Sequence, residues 1–173
     1  MSAPDQPSPA AGGALQRLIV TRPAEEAADW VARLAAKGWP AQALPLIHIS
    51  EPRNAEAAHA LHQQRARWSD CDAILFVSGA AVRHFFAADD LPQATAATRT
   101  RFWAPGPGTA RALVEPLARL VLPSDRIDAP PADAGQFDSE ALWPVVAPQL
   151  RPGCHMLIVR GASVADDAEP AAV

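Results

Sequence analysis

At 173 residues, 49% hydrophobic but only 6% aromatic, the chain fits one ordinary domain, or one domain plus pieces of another, with a core built mostly of Ala, Leu and Val. A net charge of −4 supplies no basic field, which argues against nucleic acid and anionic membrane surfaces as partners. There is no run of about 18 apolar residues, the length a membrane-spanning helix needs.

Residues 1–16 are rich in Pro, Ser, Ala and Gly, lack a basic stretch followed by an apolar one, and read as a disordered leader. From Leu15 onward, apolar runs of strand length alternate with helix-period segments, the pattern of a parallel α/β sheet. The first strand is expected at Leu18–Thr21. The first helix is expected at Pro23–Ala36, with Pro at its start and Glu25 and Glu26 in its first turn. Its apolar stripe is Ala27, Trp30, Val31 and Leu34, and Gly38 ends it. Further strands are expected at Ala43–Ile49, Ala73–Ser78, Phe102–Ala104, Leu120–Leu122 and Met156–Val159. Helices fill the gaps at Asn54–Trp68, Ala80–Ala88, Thr109 to about Val114 and Ser139–Val146, with Pro116 ending the fourth helix early. From Pro45 to Val159 these strands predict a five-stranded parallel sheet with helices on both faces. The implied organisation is a first strand–helix unit over residues 17–42, a main α/β domain over 43–161, and an acidic, Ala-rich disordered tail over 162–173.

Chemistry is expected where strands run into helices. In Phe102–Leu113 a short apolar strand passes through Gly106-Pro107-Gly108 into a helix start at Thr109. The glycines allow a tight turn and close backbone approach, and helix N–H groups favour an anion. The same residues also suit a plain strand-to-helix connection. Ser78-Gly79 ends another strand and opens a helix, as ligand contact or as helix cap. Ser78 is not a nucleophile elbow, because Phe76 stands where that motif needs Gly. Arg22, in Thr21-Arg22-Pro23, and Arg160, in Arg160-Gly161, each follow a strand and offer a guanidinium to a carboxylate or phosphate. A ligand site is therefore expected at the strands' carboxyl ends, near Arg22, Ser78 and Thr109.

Other residues read as structural. His59 and His62 share an i, i+3 spacing, yet nothing in the sequence completes a metal ligand set, and no metal is expected. Asp138-Ser139-Glu140 resembles a capped helix start. Asp70, Asp72, Asp89 and Asp90 read as solvated caps, and the five tryptophans as packing. Cys71 and Cys154 lack ligand spacing and read as buried free thiols of a reducing, cytoplasmic compartment.

Taken in order, several blocks resemble uroporphyrinogen-III synthase. They are Val20-Thr21-Arg22-Pro23, Gly38, Pro45–Ile49, Ile74–Ser78 with Ala80-Ala81-Val82, Gly106–Leu113, Pro123, Asp138–Leu142 and Leu157–Gly161. The resemblance implies a flavodoxin-like α/β domain plus an incomplete piece of a second, similar domain. It also implies a cofactor-free cyclising lyase that closes linear hydroxymethylbilane to uroporphyrinogen III, inverting the last pyrrole ring. Thr109 carries over to a family threonine implicated at the site, with Arg22, Ser78, Gly79, Gly106, Gly108 and Arg160 as substrate contacts. In the family the strand ending Arg160-Gly161 is followed by a further helix and by a strand bearing a tyrosine. This sequence has no tyrosine, so the resemblance implies the N-terminal portion of such an enzyme. Ile19, Trp30, Val31, Leu157 and Val159 would then lose burial, and the isolated chain is expected to be inactive. Two alternatives stay open: a non-catalytic α/β module holding an anionic metabolite, and a fragment that folds only with a partner.

Overall fold

A computed structural model describes residues 17–87, 91–95 and 97–162. The chain divides into two compact units, the first ending at Ile49 and the second beginning at Ser50. The expected leader, the expected tail from residue 163, and Asp89 and Asp90 lie outside the described residues.

The first unit is one strand–helix–strand turn. Strand β1 (Leu18–Val20) leads into helix α1 (Ala24–Ala35), and β2 (Ala41–Ala43) returns parallel to β1 with Leu18 opposite Ala41. The strand expected at Ala43–Ile49 is thus displaced: the ladder ends where the Leu44 N–H donates to the Val20 carbonyl at 2.8 Å. Pro45 comes next and has no N–H with which to continue it. Helix α1 closes as its glycine predicts. Gly38 takes φ +78°, its N–H donates to Ala35, and Trp39 N–H reaches the Leu34 carbonyl. Ile19 and Trp30 are exposed, and the Trp30 ring lies beneath the guanidiniums of Arg22 and Arg33 at 5.6 and 5.0 Å.

The second unit holds a four-stranded parallel sheet where five strands were expected. Its order is β5 (Ile127–Asp128), β4 (Arg101–Trp103), β3 (Ala73–Phe76) and β6 (Met156–Val159). Helices cover both faces. Ile74, Phe76 and Phe102 project to one side, against α3 (Gly79–Phe86) and α4 (Pro107–Arg119), while Ala73, Leu75 and Trp103 meet α5 (Ser139–Val146) on the other. Leu157 and Val159, expected to lose burial, pack against the first cluster; Met156 and Ile158 are the exposed residues of β6. Helix α2 (Ala55–Ala66) starts at Asn54, whose side chain accepts from Glu56 N–H at 2.8 Å, and buries no residue fully. It is tied to α3 by Arg65, which donates from Nε to the Phe85 carbonyl at 3.0 Å and from Nη2 to the His84 carbonyl, and pairs with Glu51 at 3.0 Å. A cation there satisfies carbonyls that a helix C-terminus leaves unpaired.

Two expectations about the fourth helix fail for one reason: tertiary packing decides the local structure. Pro116 does not stop α4, which runs on to Arg119 with Pro116 buried between Leu113 and Leu117. The cost of one missing helical bond is set against that burial. Leu120–Leu122 is not a strand but the helix cap. Val121 N–H donates to Ala118, Leu122 N–H to Leu117, and Val121 sits left-handed at φ 59°. The strand comes later, at Ile127–Asp128.

This is the bonding pattern that Gly38 completes, here with a β-branched residue in the glycine position. Val121 is 83% exposed, so its side chain contributes little burial. A left-handed residue with a Cβ costs about 1–2 kcal/mol, and the added chain entropy of glycine takes back about half. Val121→Gly is expected to raise stability by roughly 0.5–1 kcal/mol in urea denaturation; a loss of stability would show that the left-handed turn carries no strain.

Candidate functional site

The strand order reverses at β3. The chain moves from β3 to β4 to β5, then crosses to the far side of β3 to form β6, and ligands of open α/β sheets bind outside the carboxyl ends of strands at such a reversal. Ser78 follows β3, Gly106 follows β4, and Arg160 follows β6 beside β3. Five expected site residues are therefore brought to one edge of one sheet: Ser78, Gly79, Gly106, Gly108 and Thr109. Arg160 follows the neighbouring strand and is exposed. Arg22 is in the first unit, where its Nη1 pairs with Glu26 at 2.8 Å.

The starts of α3 and α4 lie against each other. A Cβ on Gly79 would stand 3.4 Å from Arg83 Nη1, 3.7 Å from Ala112 Cβ and 4.0 Å from the Gly108 carbonyl oxygen. Ser78 caps α3, its hydroxyl accepting from Ala81 N–H at 3.1 Å, so the helix-cap reading holds for this side chain. No side chain caps α4, which opens on Gly106 with Pro107 in its first turn. Thr109, in that same turn, is buried with only 8% of its surface exposed.

The glycines do not serve the tight turn expected of them. Gly106 is extended at φ −165°, Gly108 has no left-handed backbone, and nothing lies within 4 Å of a Cβ built on Gly108. Gly106 instead gives room: its Cβ would stand 3.1 Å from Cβ and 3.8 Å from Cγ of Phe137, tight enough that Phe137 would have to shift by a few tenths of an ångström. Phe137 arrives on the loop before α5, beside a shallow depression of about 510 Å³ lined by Ala134, Gly135, Gln136, Asp138, Glu140 and Ala141.

Asp138 caps α5 as its sequence implies. Its Oδ1 accepts from Ala141 N–H at 2.8 Å and Oδ2 accepts from the Gln136 side chain. The Ala141 N–H, helped by Gln136, holds this carboxyl below its ordinary range. Arg101 grips Asp128 with two N–H groups, Nε to Oδ2 at 2.9 Å, and this bonding to Asp128 raises the already high pKa of Arg101.

Arg83 and Phe137 escaped sequence reading. Arg83 lies four residues into a helix, and only the backward lean of helical side chains could have placed it over Gly79. Nothing local marks Phe137. Among the described residues no cluster of three or more His, Cys, Asp or Glu could hold a metal; His59 instead meets Gln63, Nε2 to Nε2, at 2.9 Å. Cys71 is buried, its thiol pushed up chiefly by desolvation, but Cys154 is only half-buried, against expectation. No helix among the described residues is long and apolar enough to cross a membrane.

The family model described as uroporphyrinogen-III synthase HemD matches residues 28–170. The chain belongs to the uroporphyrinogen-III synthase family. That match spans all of the second unit's elements, including both helix starts and Arg160, and begins inside α1, after Arg22. Among curated proteins none matches the chain. The synthase family belongs to tetrapyrrole biosynthesis, which sets the substrate class as a small tetrapyrrole.

Two outcomes follow from the geometry. Gly106→Ala should lower stability by about 1 kcal/mol because Phe137 must yield, while Gly108→Ala, in an open helical position, should hold or raise it; equal losses in urea denaturation would refute the distinction. Asp138 has a lowered folded pKa, so its contribution is present above the unfolded carboxylate value and is lost as pH falls through the folded one. The stability gap between the parent and Asp138→Ala should be constant above about pH 5 and narrow below about pH 4. A gap that widens in acid would contradict it.

Proposed function

We propose that this chain binds hydroxymethylbilane and holds it for closure to uroporphyrinogen III with inversion of the last ring. The observation that carries this reading is the meeting of two helix starts, at Gly79 and Gly108, on the carboxyl edge of a sheet whose order reverses there, in a chain of this family. The N-cap of α4, Gly106, offers no side-chain acceptor to the helix's first N–H groups, and those groups suit the substrate's acetate and propionate groups without a basic surface. In this reading Ser78, Gly79, Gly106, Gly108 and Arg160 contact substrate, and Arg83 adds a cation over Gly79.

The reaction is mainly one of geometry. Loss of the hydroxymethyl oxygen as water leaves an azafulvene on the first ring, and the substituted α-carbon of the last ring attacks its exocyclic carbon to give a spiro centre. The bond from that centre to the neighbouring bridge carbon then breaks, and the last ring's other α-carbon attacks the freed bridge carbon and loses its proton, closing the macrocycle with that ring inverted. Folding the chain so that these atoms meet replaces the entropy loss of an unguided search. Thr109 is the residue assigned to the departing hydroxyl, donating a hydrogen bond to it as the C–O bond breaks.

The test is product analysis with the full chain and hydroxymethylbilane. Isomer III above the level of the uncatalysed reaction is the expected result, in place of the inactivity expected from the sequence, because Leu157 and Val159 keep their packing against the core. It should fall at least tenfold in Thr109→Val if that hydroxyl helps the leaving group, in line with about 10²–10⁴-fold for a positioned proton donor. Isomer I alone, with no binding of the tetrapyrrole, would overturn the proposal; binding without isomer III would favour a non-catalytic module.

A further inference from the structure

We infer that Phe137 is a positioning residue whose ring lies against a pyrrole ring of the bound tetrapyrrole, an inference that rests on the functional reading above. Of the five phenylalanines in the chain, Phe76, Phe85, Phe86 and Phe102 are buried in the core, and Phe137 alone is exposed, at 43%. An apolar ring left in water ordinarily packs where it can. This one sits beside the start of α4: a Cβ built on Gly106 would stand 3.1 Å from its Cβ and 3.8 Å from its Cγ, so the root of the side chain is seated there while much of its surface stays exposed.

That place has two properties at once. On one side is the start of α4, whose N-cap Gly106 gives its first N–H groups no side-chain acceptor, so they suit a carboxylate; on the other is Asp138, which caps α5 and accepts from Ala141 and Gln136. A ligand that fits must present flat, electron-rich rings beside short carboxylate arms. A linear tetrapyrrole is built that way, each ring carrying an acetate and a propionate. Offset or edge contact between Phe137 and one ring would set which arm reaches the α4 start, so the residue selects a fold of the substrate and does not touch a breaking bond.

The experiment measures binding of uroporphyrin III, and separately of citrate as a non-aromatic polycarboxylate, to the full chain and to Phe137→Ala, Phe137→Leu and Phe137→Trp. Phe137→Ala is expected to bind uroporphyrin about tenfold more weakly while citrate binding is unchanged, since stacking contributes on the order of a tenfold factor and the carboxylate contacts remain. Phe137→Trp should keep parental affinity, and Phe137→Leu should fall between. Should Phe137→Ala fail to fold, the comparison of Leu with Trp decides. Equal uroporphyrin affinity across the series, or a parallel loss for citrate, overturns the inference and leaves Phe137 as loop packing. Failure of the parent chain to bind uroporphyrin overturns the functional reading and this inference with it.

Discussion

Phe76 is the contact from which the second unit is organised. Its ring meets Phe85 edge-on at 5.5 Å and stacks near Phe86 at 5.6 Å, pinning the last turn of α3 to the sheet. Phe86 then reaches Phe102 of β4, which in turn meets Trp68, so one aromatic chain joins α3, two neighbouring strands and the segment after α2. Each of these side chains, fully buried, contributes about 1.5–3 kcal/mol. In a protein whose total stability is about 5–15 kcal/mol, the position of α3 is therefore not negotiable. Because α3 cannot move, its first turn is fixed, and with it the place where Gly79 meets α4.

The fold was largely readable because its strands are apolar and its helices carry their own start signals. Asp138, Asn54 and Ser78 each cap a helix through the side-chain bond their residue types favour, and Ser139–Val146 stands where periodicity places it. What could not be read was governed by partners distant in sequence. Leu120–Leu122 has the composition of a strand, but its N–H groups are taken by carbonyls one turn back in α4. Ile127–Asp128 has almost no strand signal, since two residues and a carboxylate hardly form a pattern; its pairing with Phe102 and Trp103 of β4 makes it a strand, and Arg101, 27 residues away, holds its carboxylate. Pro45 marked a boundary that its apolar neighbours concealed.

The candidate site divides in the same way. Residues at strand-to-helix junctions were legible because the topology of a parallel sheet places those junctions on one edge, whatever the side chains. Gly106 was singled out for the wrong property: the sequence suggests a turn, while the structure uses the missing Cβ as room for a ring. That distinction depends on Phe137, 31 positions away, and no local rule contains it. Arg22 illustrates the opposite limit, since a cation after a strand needs only a neighbour such as Glu26 to be engaged where it stands.

The clasp between Arg101 and Asp128 sets a lower limit on how long the far edge of the sheet stays closed. Strand β5 is two residues long, and beyond the ladder pairing of Phe102 with Ile127 and Trp103 with Asp128 it is held by the two-pronged guanidinium and by the Ala104 N–H to the Asp128 carbonyl at 2.9 Å. A strand of that length has little cooperative resistance of its own. Opening at this edge is thus expected to need less energy than unfolding of β3, and amide exchange of Ala104, whose N–H donates to the Asp128 carbonyl, would report it. Because the Asp128 side chain is only 10% exposed, salt screens that pair weakly, and the edge is expected to hold across a wide range of ionic strength.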